Sequence, residues 1–64
     1  MSTTSAELSS MAATVDELTH RLGPIADVYQ ASHRDDLVSE VLEVERALTG
    51  ALRRLNRLAS SAGA

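Results

Sequence analysis

The densest run of chemically capable side chains follows His33, where Asp35, Asp36, Glu40, Glu43 and Glu45 succeed one another over barely three helical turns. On a helix, Asp36, Glu40 and Glu43 share one face through their spacing of four and three. Carboxylates beside an imidazole are donors for a hard or borderline metal ion, so a metal-binding helical bundle is one reading of this acidic face. A di-metal bundle site draws on Glu-x-x-His pairs from facing helices, and the chain contains none. The run reads instead as a solvated face near a helix start, where the dipole favours carboxylates. No metal ligand and no cofactor is expected.

The opposite charge gathers further on, at Arg46, Arg53, Arg54 and Arg57. Such a face suits an anionic partner, and a regulatory protein that binds nucleic acid is the chief alternative reading. The chain has no aromatic residue other than Tyr29 on which a base could stack, and its net charge is −3 with a pI of about 5.1. The arginines therefore read as a solvated basic face near a helix end, and nucleic acid is not the expected partner. His20 falls on the outside of a first helix and His33 in a turn. Neither has a nucleophile and an orienting third group at a fixed spacing. A catalytic bundle would need cationic groups inside it, and here the arginines lie off the apolar seam. The chain is read as non-catalytic.

These side chains are carried by 64 residues, enough for one domain. A core this small rarely supplies more than ~3–5 kcal/mol, and natural chains of this size add disulfides, a metal or a partner. Cysteine is absent, which leaves a partner. Apolar residues make up 44 %, too many for a disordered tail, and the abundant Leu, Ala, Arg and Glu favour helix. All six basic residues are Arg, a bias read as that of a GC-rich bacterial genome. Residues 1–10 hold no basic residue and no apolar run, so they do not read as a signal peptide. No stretch approaches the ~20 apolar residues of a membrane span. The expected location is cytoplasmic.

Apolar positions predict two helices. Leu8, Met11, Val15, Leu18, Leu22, Ile25 and Tyr29 alternate spacings of three and four, a heptad seam, and Leu37, Val41, Val44, Leu48, Ala51, Leu55 and Leu58 form a second. The two are out of phase, so a break is needed between Gln30 and Asp36. The expectation is an all-α antiparallel hairpin: one helix over about 5–30 kinked at Gly23-Pro24, a second over about 33–60, and frayed tails at 1–4 and 61–64. Ser2, Thr3, Thr4 and Ser5 are candidate caps for the first helix, and Ser32 with Asp35 resembles a capping box for the second. Pro24 cannot donate to the carbonyl of His20, but the seam passes through Leu22, Ile25 and Tyr29 without losing phase. A kink is therefore preferred to a turn.

Folding back near residue 33 stacks Leu8 on Leu58, Met11 on Leu55, Leu18 on Leu48, Leu22 on Val44 and Tyr29 on Leu37, with apolar residues on both sides throughout. One flank of this seam pairs Ala12 with Leu52, Thr19 with Glu45 and Ala26 with Val38. It is expected to face outward and to cover itself with a second copy as a four-helix bundle. The residues expected to make interactions are thus Val38, Glu45, Leu52, Ala12 and Ala26, with Arg53, Arg54 and Arg57 on the basic face. The expected function is a small protein-interaction module, working as an adaptor, assembly factor or accessory subunit and partnered by a second copy or a larger protein.

Overall fold

The computed structural model describes residues 3–63, with side chains through 61. Two helices of equal length, α1 (Thr3–Ala31) and α2 (Asp35–Gly63), pack along each other as an all-α helical hairpin about 48 Å long. Part of the expected tails, residues 1, 2 and 64, lies outside the described residues. Thr3 and Thr4 are already helical, and α2 continues through Gly63. Ser5 is not a cap. It lies inside α1, buried, and its hydroxyl donates to the carbonyl of Ala59, 3.0 Å away on α2.

Gly23-Pro24 does not interrupt the fold, because α1 runs through Pro24 to Ala31. The chain reverses instead at Ser32, His33 and Arg34. Three bonds close the end of α1: the Ser32 amide donates to Val28 O, His33 to Gln30 O and Arg34 to Tyr29 O. The last two are the 5→2 and 6→1 bonds of a Schellman motif, which needs a left-handed residue between them. His33 supplies it, with φ of 59°.

The Ser32–Asp35 capping box does not form. The Ser32 hydroxyl bonds backward, to Val28 O at 2.9 Å, and so serves the end of α1. Residue 34 is the cap of α2, since the Arg34 carbonyl accepts the amides of Leu37 and Val38. Its guanidinium, which holds only donors, cannot bind the free amides of the first turn. It grips Asp36 instead, Nε to Oδ1 at 3.2 Å and one terminal nitrogen to Oδ2 at 3.1 Å.

A left-handed conformation costs an L-residue roughly 1–2 kcal/mol, and glycine is freed of most of that at some cost in unfolded-state entropy. His33→Gly is therefore expected to stabilise the hairpin by about 0.5–1 kcal/mol, a rise of a few degrees in the thermal midpoint followed by circular dichroism. A lower midpoint would contradict the turn described here.

Candidate interaction surface

The stripe that each helix turns toward the other decides which residues remain free to act. Along α1 the covered positions include Ser5, Leu8, Ala12, Val15, Thr19, Leu22, Ala26 and Tyr29; along α2 they include Val38, Val41, Leu48, Leu52, Leu55 and Ala59. Small residues thus recur every seventh position of α1 at the contact. Ala12 is 4 % exposed while its neighbour Met11 is 55 % exposed. Small side chains let helix axes approach toward the ~8 Å end of the usual range, and close approach brings the Ser5 hydroxyl within reach of a carbonyl on α2. Thr19 is tolerated there because its hydroxyl bonds Val15 O in its own helix at 2.9 Å.

The axial register is therefore as the heptads imply. Ser5 opposite Ala59 continues the series Ala12–Leu52, Thr19–Glu45 and Ala26–Val38, and Ala12 and Leu52 line one shallow depression together. The rotation of the helices differs. Ala12, Ala26, Val38 and Leu52 do not form an outer flank; they belong to the contact between the helices, because the flank of small residues permits the closest packing. Glu45 is half-buried at the edge of that contact, beside Leu42, Arg46, Thr49, Gly50 and Arg53.

The turn that buries the alanines exposes the large residues. Met11, Leu18, Ile25, Val44 and Leu58 are each about half in water. They border one side of the hairpin, where Leu18, Leu22, Ile25, Val44 and Leu48, with Arg21 and Pro24 at the rim, line an open apolar groove of about 550 Å³. No side chain among the described residues is fully buried. The chain exposes 4769 Å², whereas a compact monomer of its mass exposes about 3,950 Å². The excess is about 800 Å², and the hairpin hides only about half of the surface of its extended chain.

The charged candidates are dispersed. Arg46 donates to the Glu43 carboxylate at 2.9 Å. Arg53 and Arg57 lie near it on the outer face of α2 by helical spacing, and Arg54 lies about 100° further round, on the groove side. These three arginines make no ion pair among the described residues. Asp36 belongs to Arg34 and Glu43 to Arg46, and no three His, Asp or Glu side chains among the described residues converge as metal ligands would. His20 is exposed on α1, its Nδ1 2.8 Å from Asp16 O. Neither helix is long and apolar enough to cross a membrane. Comparison with protein families, with characterised proteins and with solved structures finds no match to this chain.

The Arg34 guanidinium holds the Asp36 carboxyl below its ordinary range; desolvation opposes it, and the amides of Leu37 and Asp36 in the first turn of α2 act with the guanidinium. A carboxylate whose folded pKa lies below its unfolded one stabilises the fold fully above the ordinary Asp range and loses that contribution as pH falls through the folded value. Helicity is therefore expected to hold from neutral pH down to about pH 4 and to decline below it. Asp36→Asn should be less stable than the parent at neutral pH and close to it in acid. An equal difference at both pH values would contradict the Arg34–Asp36 contact as the cause.

Proposed function

We propose that this hairpin is a non-catalytic protein-interaction module whose working surface is the apolar groove side bordered by Met11, Leu18, Ile25, Val44 and Leu58. The observation that carries this reading is that the hairpin spends its closest packing on alanines and leaves these five large side chains half exposed along one side. Complete burial of such a side chain is worth ~1.5–3 kcal/mol, so each forgoes about 1 kcal/mol in the lone hairpin. Helices from a partner recover that energy by laying apolar residues along the groove, as in helix-bundle packing. An adaptor, assembly factor or accessory subunit works through a surface of this kind. The basic face gains no comparable support, since Arg46 is occupied by Glu43 and Arg54 lies about 80° round from Arg46, toward the groove side.

A photo-reactive amino acid placed at Met11 or Ile25 in the producing cell is expected to cross-link to protein, whereas one at Leu42, on the other side of α2, is expected not to. Absence of protein cross-links from both groove positions, with the chain present and helical, would contradict the reading.

A further inference from the structure

We propose that the occupant of the groove side is a second copy of this chain, laid face to face with its turn at the opposite end, so that four antiparallel helices form one bundle. The inference rests on the reading of the groove side as a docking surface and commits it to one partner. Two arguments carry it, area and charge. The surface that the hairpin exposes beyond a compact monomer of its mass, about 800 Å², matches one partner's share of a standard protein interface. The hairpin is 48 Å long and 14 Å wide between Cα atoms, room enough for an interface of that size.

Charge selects the copy and its direction. α2 carries five carboxylates from Asp35 to Glu45 and none thereafter, while Arg53, Arg54 and Arg57 occupy its other half. Two copies with turns at opposite ends place the acidic half of each α2 along the basic half of the other. Two copies with turns at the same end gather the acids together. Rotation by 180° about an axis through Leu18 brings Glu40 level with Arg54 of the second copy, twice by symmetry, with Ala47 meeting Ala47 between them. The same rotation sets Met11 on Ile25 and Leu18 on Leu18, and brings Val44 within one residue of Ala51, all apolar. A closed two-fold contact requires this self-complementarity.

Sedimentation of the full chain over roughly 1–100 µM tests the proposal, with circular dichroism on every variant. The parent is expected at twice its 6.8 kDa. Glu40→Arg and Arg54→Glu, both exposed and outside the contact between α1 and α2, should each weaken association about tenfold, and more salt should narrow the difference. The double reversal should restore it to within about threefold. Leu42→Glu, on the other side of α2, should leave it unchanged. A parent chain of 6.8 kDa at about 100 µM would overturn the second copy as occupant. The docking reading would survive that result if the groove positions cross-link to a different protein. A dimer that the double reversal fails to restore would overturn the opposed arrangement.

Discussion

A helical hairpin has one contact to distribute, because each of two helices can present only one stripe to the other. Here that contact goes to the series Ser5, Ala12, Thr19 and Ala26 of α1, and the rest of the molecule follows from it. The Ser5–Ala59 hydrogen bond marks how near the helices come. Alanines contribute little transfer energy themselves. What they permit is close approach, so that Val41 of α2 is buried, and Leu8, Val15 and Leu22 of α1 with Leu48 and Leu55 of α2 flank the contact and shed part of their exposure. Met11, Leu18, Ile25, Val44 and Leu58, turned further round, shed less.

A chain built this way is marginal by itself. Among the described residues the buried apolar ones are Ala12, Val41 and Ala59, the content of a seam and not of a core. Two helices have no third layer with which to cover a second face, and small domains already bury a smaller share of their surface than large ones. In the proposed association, the uncovered side couples stability to binding: a partner docked in the groove between Leu18 and Val44 completes the apolar interior. The division of charge along α2 adds direction to that association. Burial of apolar area says little about orientation, whereas an acidic half followed by a basic half favours one alignment over its reverse.

The two helices, their antiparallel direction, their axial register and the reversal near residue 33 were all legible in the sequence, since each depends on the period and length of apolar runs. That the helix continues beyond Pro24 was legible for the same reason, since the seam keeps phase across Leu22 and Ile25, although a kink was expected at Gly23-Pro24 and α1 runs through it as one helix. The rotation of the helices was not. α1 carries large apolar residues at Met11, Leu18 and Ile25 and small ones at Ala12, Thr19 and Ala26, so two adjoining stripes compete. A reading that ranks stripes by hydrophobicity chooses the first, and close packing chooses the second. A recurrence of small residues every seven positions was the available signal. The turn was hidden differently. The left-handed position after a helix is usually glycine, and His33 takes it without any glycine nearby. Ser32 lies where a cap of α2 would be sought but bonds to α1, because the Schellman bonds end that helix at Ala31, with Ser32 as its closing residue.

Methyl NOEs measured by NMR in solution test the rotation most directly, because they report which side chains meet between the helices of one chain. With mixed labelling to separate contacts within and between chains, the account predicts strong intrachain NOEs from the Ala12 methyl to Leu52 and from Ala26 to Val38. Intrachain NOEs from Met11 to Leu55 and from Leu18 to Leu48, with none from Ala12 to Leu52, would show the large stripe inside and contradict it.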